Sequence, residues 1–286
     1  MMRVLTLAFA LALTCCAAQA QDSAASFYRG RTIQAVVGYP PGSTFELYLR
    51  LFTQHMARHV PGNPNIIVQH MPGAGSLKAT GYLAAVAARD GLTIGMPNPV
   101  NTIEPLIDPE RSKFDPRQFN WLGSLNSEIS TCGIWNKSIK TVDDLKSKQV
   151  ALGATGPSSG SAVDAKVLVA LQMGLKKHAE FPNVPNAFDL VTKAEDRQLF
   201  RLIFGPWTYG RPLLAPPGVP PERVEALRNA VKATLDDPRF RAEANKINLE
   251  IQPMTPPAIE KVLGDIFATP QPVLERARDL LGVKNR

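Results

Sequence analysis

The sequence predicts a globular α/β protein with room for two domains, and three observations lead to that fold class. Short apolar runs alternate with segments of helical period, in the order strand, helix, strand, helix, strand, over residues 33–96. This order is typical of a parallel sheet with helices packed on its faces. The composition, 44% hydrophobic and 20% charged, is that of a folded chain rather than a disordered one. The length of 286 residues suits two domains or one large domain.

The individual elements follow from local patterns. Apolar runs of strand length occupy Ile33–Gly38, Ile66–Gln69 and Leu92–Met96, and helical spacing marks Phe45–His59 and Leu77–Ala88 between them. Further strands are predicted at Trp121–Leu125, Cys132–Trp135, Gln149–Ala154, Lys166–Leu171 and Arg211–Ala215. Further helices are predicted at Val142–Lys146 and Glu195–Phe204, and in a tail whose four helices each begin near a proline: Pro221–Leu235, Pro238–Lys246, Pro256–Phe267 and Pro272–Leu281.

One connection is short for this fold. Only Thr155–Ala165 separate the strands predicted at Gln149–Ala154 and Lys166–Leu171. A parallel crossover takes about a dozen or more residues, normally with a full helix. Either these two strands are not parallel neighbours, or part of a structural unit is absent here.

The beginning of the chain has the pattern of a secretory signal peptide. Arg3 precedes the apolar run Val4–Thr14, and Ala18-Gln19-Ala20 follows as a cleavage site. The run is shorter than the roughly 20 apolar residues that a membrane-spanning helix needs. We therefore expect residues 1–20 to be removed and the mature protein to be exported.

The cysteines and the charge of the chain argue against several classes of site and partner. Cys15 and Cys16 lie in the predicted signal, so Cys132 stands alone in the mature chain and forms neither an internal disulfide nor a Cys-based zinc site. The net charge is +7, yet no run of five Lys or Arg occurs and no aromatic-basic RNA-binding motif appears. These features disfavour nucleic acid as a partner and favour small anionic ligands.

Three loops rich in glycine and serine each follow a predicted strand. The first loop is Gly38–Glu46, the second loop is Met71–Ser76 and the third loop is Gly153–Ser161. Taken singly, each loop is an ordinary connection from a strand to a helix, with a serine or threonine that caps the helix. Together at the carboxyl edge of a parallel sheet, their backbone amides and hydroxyls favour a cleft for an anion. A carboxylate fits such a cradle without a lysine or arginine.

Two other motifs point to different chemistry, and the sequence disfavours both. Gly156–Gly160 matches the nucleophile elbow of a serine hydrolase with Ser158 as nucleophile, but Asp164 and His178 are poorly placed to complete a triad. His55 and His59 share a helix face as metal ligands do, but the glutamate of the zincin motif is missing. We interpret the two histidines as part of a solvated helix face.

Four runs of residues resemble a known family. Val37–Gly42 (VGYPPG), Met71–Ser76 (MPGAGS), Arg89–Gly91 (RDG) and Leu214–Pro220 (LAPPGVP) are similar to the extracytoplasmic solute receptors of tripartite tricarboxylate transporters, the Bug-type binding proteins. The resemblance implies a two-domain fold of the type 2 periplasmic-binding-protein kind, with a hinge that closes the domains on a small carboxylated solute. We assign residues 21–122 and 216–286 to the first domain and residues 123–215 to the second.

The resemblance also implies a site, partners and a location. Carried over to this sequence, the ligand contacts fall on the three loops, at Gly42, Ser43, Thr44, Phe45, Gly73, Ala74, Gly75, Ser76, Thr155, Ser158 and Ser159. The expected protein is a periplasmic monomer without catalytic residues, metal or cofactor. It delivers its carboxylate to the permease subunits of a tripartite tricarboxylate transporter, with no nucleic acid involved.

Two departures from the family pattern define the alternatives. The first loop of the family is glycine-rich and ends in aspartate, whereas this chain reads Ser43-Thr44-Phe45-Glu46. A block of several dozen residues usual for the second domain is missing near Ala165 and Lys166, so we expect that domain to be shortened. A degraded paralogue that binds nothing, and an exported serine hydrolase using Ser158, are the alternatives to a solute receptor.

Overall fold

The computed structural model describes residues 24–134, 168–179 and 181–283. The strands are, in chain order, β1 Thr32–Val37, β2 Asn65–His70, β3 Thr93–Met96, β4 Asn120–Ser124, β5 Ser130–Ile134, β6 Leu168–Met173 and β7 Pro212–Ala215. Among the described residues after β1, the α-helices are α1 Thr44–Met56, α2 Leu77–Ala85, α3 Glu104–Ile107, α4 Ala187–Leu190, α5 Ala194–Phe204, α6 Pro221–Asp236, α7 Pro238–Lys246, α8 Pro256–Phe267 and α9 Gln271–Leu280. Short 3-10 turns lie at Ala57–His59, Ala74–Ser76, Pro99–Thr102, Pro116–Gln118 and Gly205–Tyr209.

The described residues fall into two compact units. The first comprises the residues up to Ser127 together with Tyr209–Gly264, and the second comprises Glu128–Thr208 and the residues from Asp265 onward. The domain boundaries drawn from the sequence stay a prediction.

A five-stranded sheet forms the centre of the first unit, in the order β2-β1-β3-β7-β4. β1 pairs in parallel with both β2 and β3, which confirms the predicted succession of strands and helices. β7 lies between β3 and β4 and is antiparallel to both, so the sheet is mixed rather than wholly parallel. A short apolar run such as Pro212–Ala215 carries no signal of strand direction, and the sequence pattern therefore missed this reversal.

The strand directions decide which loops share an edge. β4 is antiparallel to β7, as β3 is, so β1, β2, β3 and β4 all run the same way. The carboxyl ends of these four strands and the amino end of β7 consequently meet at one edge of the sheet. In α/β proteins this is the edge at which ligands bind.

Helices cover both faces of this sheet because side chains alternate along each strand. On one face, Ile33, Ala35 and Val37 of β1 belong to a buried cluster with residues of α1, α6 and α7, among them Leu49, Leu227 and Phe240. On the other face, Val36 joins a second cluster with residues of α2, β4 and α8, among them Leu83, Trp121 and Ile259. The two apolar layers fix the sheet and therefore the positions of the loops at its edges.

The second unit contains the antiparallel pair β5 and β6 and the helices α4, α5 and α9. Gln172 at the end of β6 organises the following chain: its Nε2 donates to the carbonyls of Phe181 (2.7 Å) and Val184 (3.0 Å), and its Oε1 accepts from His178 N–H (2.6 Å). The predicted helix Val142–Lys146, the predicted strand Gln149–Ala154 and the short connection after it lie outside the described residues.

Within the described ranges, no helix combines the length and the apolar character needed to cross a bilayer. The predicted signal peptide, residues 1–20, lies outside these ranges.

Candidate functional site

The first loop connects β1 to α1 and presents exposed backbone at its tip. Ser43 is the N-cap of α1, and its Oγ accepts a hydrogen bond from Glu46 N–H at 3.2 Å. Gly42 has φ +83°, and a Cβ placed on it would meet no atom within 4 Å. The serine therefore serves as a helix cap, as many such loops do, while the glycine next to it faces open space.

The second loop has an unusual backbone. Ala74, Gly75 and Ser76 have φ of 48°, 61° and 76°, so three successive residues are left-handed, and two of them are not glycine. Left-handed alanine and serine each cost on the order of 1 kcal/mol, and such strain is concentrated at functional sites. No side chain caps α2 at Ser76, and a Cβ on Gly75 would also meet nothing within 4 Å.

Close contacts join the two loops and a third segment at the sheet edge. Met71 N donates to Val37 O at 2.8 Å, which sets the start of the second loop beside the end of β1. Gly38 lies against Ser76 so closely that a Cβ on Gly38 would be 1.7 Å from Ser76 Oγ. The same Oγ accepts from Asn98 N–H at 3.1 Å, after β3. The ends of three adjacent strands are thus held together through one buried serine.

The structure brings eight of the predicted ligand-binding residues to this edge. Five are exposed, namely Gly42, Thr44, Gly73, Ala74 and Gly75. Ser43 is half-buried, and Phe45 and Ser76 are buried. The other three predicted contacts, Thr155, Ser158 and Ser159, lie outside the described residues.

A buried arginine stands beside the first loop. Arg211, only 5% exposed, precedes β7 and therefore lies at the carboxyl edge of β1 and β3. Its Cζ is 4.0 Å from the centre of the Phe45 ring, and its Nη2 is 3.5 Å from Thr44 Oγ1. The Phe45 ring also stacks on Tyr39, with 4.3 Å between the ring centres. A buried guanidinium thus adjoins the first loop, whereas the sequence predicted a cradle that needs no cationic side chain.

The negative charge of Glu46, which replaces the usual aspartate, is compensated locally. The carboxylate is buried in the first turn of α1, where its negative charge interacts favourably with the helix dipole. It also forms an ion pair with Arg50. His70 Nε2, at the end of β2, lies 3.9 Å from Glu46 Oε1. An anion at the first loop therefore meets a neutralised carboxylate rather than an isolated negative charge.

Asn126, two residues beyond the end of β4, is a second buried polar group at this edge and is 4% exposed. Its backbone oxygen accepts from Arg211 N–H at 3.4 Å, and its Nδ2 lies 3.4 Å from Tyr48 Oη. Its Oδ1 has no hydrogen-bond partner among the described residues. No sequence motif marks Arg211 or Asn126, because only the pairing of β7 with β4 and β3 brings them to the loops.

The histidine pair on α1 has a structural role instead. His55 is buried, with Nε2 2.9 Å from Glu243 Oε2 of α7, so its interpretation as part of a solvated face is wrong. His59 Nε2 lies 2.9 Å from Asp237 Oδ2. Hydrogen bonds from Arg58 and His59 hold the pKa of the Asp237 carboxyl well below its usual range. In the part of the chain that the structure describes, no group of three His, Cys, Asp or Glu side chains is placed to hold a metal.

Two surface cavities of the first unit lie away from the predicted contacts. One groove of about 300 Å³ is lined by residues of α1 and β2, including Arg50 and Ile67. Another, of about 220 Å³, is lined by α2 and by residues 111–114. Neither includes a predicted ligand-binding residue.

No protein-family model matches this chain. A curated relative, the UPF0065 protein in the gbd 5′ region of Cupriavidus necator, is 24% identical, and the match covers 84% of this chain and 85% of the relative. Among solved structures, the periplasmic binding protein BugD superposes with a TM-score of 0.64 at 16% identity, covering 91% of this chain and all of BugD.

Two further structures have the same fold. The TctC solute-binding protein from Polaromonas, determined without ligand, has a TM-score of 0.60 at 17% identity, over 89% of this chain and 99% of that one. MatC from Rhodopseudomonas palustris, with bound malate, has a TM-score of 0.60 at 18% identity, over 88% of this chain and 99% of that one. BugD is a periplasmic binding protein, and the TctC protein is a solute-binding protein. The chain therefore has the fold of the Bug- and TctC-type periplasmic binding proteins, and the resemblance found in its sequence is confirmed.

Proposed function

We propose that this protein is an extracytoplasmic receptor that captures a small carboxylate for a tripartite tricarboxylate-type transporter. The observation that carries the proposal is the pair of open loops: Gly42 and Gly75 face empty space, and a buried guanidinium lies beside the first loop. Malate, bound to the structural neighbour MatC, is a small carboxylate of the proposed class.

The electrostatics of the edge favour an anion. Each loop precedes the first turn of a helix, α1 or α2, where backbone N–H groups present partial positive charge. Arg211 adds a guanidinium beside the first loop, a group whose planar fork of N–H donors matches a carboxylate. The carboxylate of Glu46 is paired with Arg50 and opposes an incoming anion only weakly.

Export and delivery complete the proposal. The pattern of residues 1–20 supports cleavage of a signal peptide and a periplasmic location, and the family resemblance supports hand-over to membrane permease subunits. Thr155, Ser158 and Ser159 are proposed as further ligand contacts on the same resemblance. Fractionation of cells that express the full chain tests export: the mature protein should be recovered from the periplasm and begin at Gln21.

A thermal-shift screen of carboxylic acids tests ligand capture. Malate, succinate or an aromatic acid such as benzoate should raise the melting temperature by several degrees, because a ligand at a hundredfold excess over its Kd stabilises the folded state by about 2.7 kcal/mol. If none of the acids changes the melting temperature, the proposal fails and the degraded, non-binding paralogue is the better account.

A matched pair of variants at Gly75 tests whether the second loop is the site. Gly75→Asp places a negative charge in the cradle and should abolish the shift. Gly75→Asn has the same shape, tolerates the left-handed backbone equally well and carries no charge, so it should keep most of the shift. Equal ligand stabilisation of the two variants would show that the acid binds elsewhere.

A further inference from the structure

We infer that Arg211 and Asn126 together anchor a carboxylate that carries a hydroxyl group on the adjacent carbon. The inference rests on the proposed function and names the ligand class and two binding residues for it. Both residues stand at the carboxyl edge of the central sheet, at the amino end of β7 and just beyond β4. Both are more than nine-tenths buried.

The setting of Arg211 is suited to recognising a carboxylate. The Cζ atom of its guanidinium lies 4.0 Å from the centre of the Phe45 ring and 5.0 Å from that of the Tyr48 ring. The two aromatic side chains therefore restrict the orientation of the guanidinium. The Nη1 atom donates to the carbonyl of Gly210 at 3.0 Å, which further restricts the side chain. A rigid, buried guanidinium binds a carboxylate strongly because the side chain loses little conformational entropy on binding and water competes poorly for its N–H groups.

The hydrogen bonds around Tyr48 determine the orientation of the Asn126 amide. Tyr48 O–H donates its one proton to the carbonyl of Glu250 at 2.9 Å, so its oxygen faces Asn126 as an acceptor. The group of Asn126 nearest to it must then be the NH₂, at 3.4 Å. The Oδ1 is consequently the other end of the amide, and it is a buried acceptor without a partner among the described residues.

A buried acceptor of this kind is unfavourable unless a donor reaches it. Both Asn126 and Arg211 adjoin Tyr48, and the backbones of the two residues are hydrogen-bonded to each other. In the proposed binding mode, a ligand whose carboxylate pairs with Arg211 places the substituent on its adjacent carbon beside the Asn126 side chain. A hydroxyl on that carbon supplies the donor that Oδ1 lacks, whereas an unsubstituted acid leaves the acceptor unsatisfied.

Titration calorimetry with L-malate and succinate, which differ by that hydroxyl, tests this assignment. The purified protein should bind malate about tenfold more tightly than succinate, the factor that one satisfied buried hydrogen bond supplies. Asn126→Leu, which removes the acceptor at similar volume, should bring the two affinities to within about twofold of each other. Arg211→Gln should weaken both acids by about a hundredfold and keep their ratio, and Arg211→Lys should recover part of the loss.

Arg223 is the matched control for Arg211, because it is also an arginine that lies against an aromatic ring but has only a structural role. Its Cζ lies 3.6 Å from the centre of the Phe27 ring, and it donates to Asp90 O at 2.7 Å, near the amino end of β3 and so at the opposite edge of the same sheet. Arg223→Gln should lower the melting temperature and leave both affinities unchanged.

The outcomes separate the inference from the function on which it rests. If the wild-type protein binds neither malate nor succinate but is stabilised by another acid of the thermal-shift screen, the anchor is overturned while the receptor function stands. If no acid of the screen binds, the proposed function and the anchor fail together. If it binds malate and Arg211→Gln behaves as Arg223→Gln does, Arg211 is structural and the anchor is overturned while the receptor function stands. A malate preference that survives in Asn126→Leu would overturn the role of Asn126.

Discussion

The first and second loops look alike in the sequence but differ in how they are built. Both are rich in glycine, contain a serine and connect a strand to a helix. In the first loop the serine caps α1, and the residues after it supply side chains to the sheet edge. In the second loop the helix has no side-chain cap, and the backbone itself is left-handed over Ala74–Ser76.

The contrast shows that one composition serves two physical roles. The first loop contributes a cap and an aromatic platform for Arg211, so its chemistry depends on which side chains it carries. The second loop contributes exposed backbone, held in place by the contact of Ser76 with Gly38 and Asn98. Substitutions should therefore affect the two loops by different mechanisms.

The largest effect is expected at Gly38, where the two loops touch. A Cβ there would stand 1.7 Å from Ser76 Oγ and 2.4 Å from Ser76 Cβ. Gly38→Ala should lower the free energy of unfolding by about 3 kcal/mol, measured by urea denaturation, because the second loop must move. Adding Ser76→Gly removes both clashing atoms and should restore at least half of the loss. A fully stable Gly38→Ala would mean that the loops do not touch.

The next effect concerns the hydroxyl of Ser76. Ser76→Ala leaves the buried Asn98 N–H without its acceptor and should cost about 1–2 kcal/mol in urea denaturation. Ser76→Gly loses the same bond but relieves the positive φ of 76°, so it should cost less than alanine. Should glycine prove the more destabilising of the two, the left-handed backbone at this position would be refuted.

The cap of the first loop should respond in a different way. Ser43→Ala removes the acceptor of Glu46 N–H and should cost about 1 kcal/mol, whereas Ser43→Gly should cost only a few tenths. The measurement is again the shift of the urea midpoint. Equal costs for both substitutions would argue against a capping role and would remove the distinction between the two loops.

The smallest effect should have the opposite sign. Ala74 has φ 48°, so Ala74→Gly should stabilise the protein by about 0.5 kcal/mol through relief of backbone strain. Ala79→Gly in the buried interior of α2 is the control, and it should destabilise by about 1 kcal/mol or more. Destabilisation by Ala74→Gly would show that the alanine is not strained in solution.

Local patterns predicted most elements because their causes are local. The helices Pro238–Lys246 and Pro256–Phe267 have the predicted bounds, since a proline at the first turn and helical apolar spacing define them. The three strands of the first βαβαβ succession also appear with nearly the predicted bounds. The short helices Glu104–Ile107 and Ala187–Leu190 were not predicted, because four residues are too few to show a period.

The candidate site was predictable only where it is local. The glycines and hydroxyls of the first two loops could be read from the chain, and the structure places them at one edge. Arg211 and Asn126 could not, because their position depends on the antiparallel entry of β7 beside β4. The burial of His55 was missed for the same reason, since Glu243 on α7 lies 188 positions further along the chain.

The central claim is that backbone amides of both loops take part in binding a carboxylate. Glycine-selective ¹⁵N labelling followed by titration with malate measures those amides directly by NMR. The account predicts saturable shifts of the Gly42 and Gly75 signals with the same Kd that calorimetry gives, and unmoved signals for glycines at the opposite edge, such as Gly91. If calorimetry detects malate binding while the Gly42 and Gly75 signals stay unchanged, the account is contradicted.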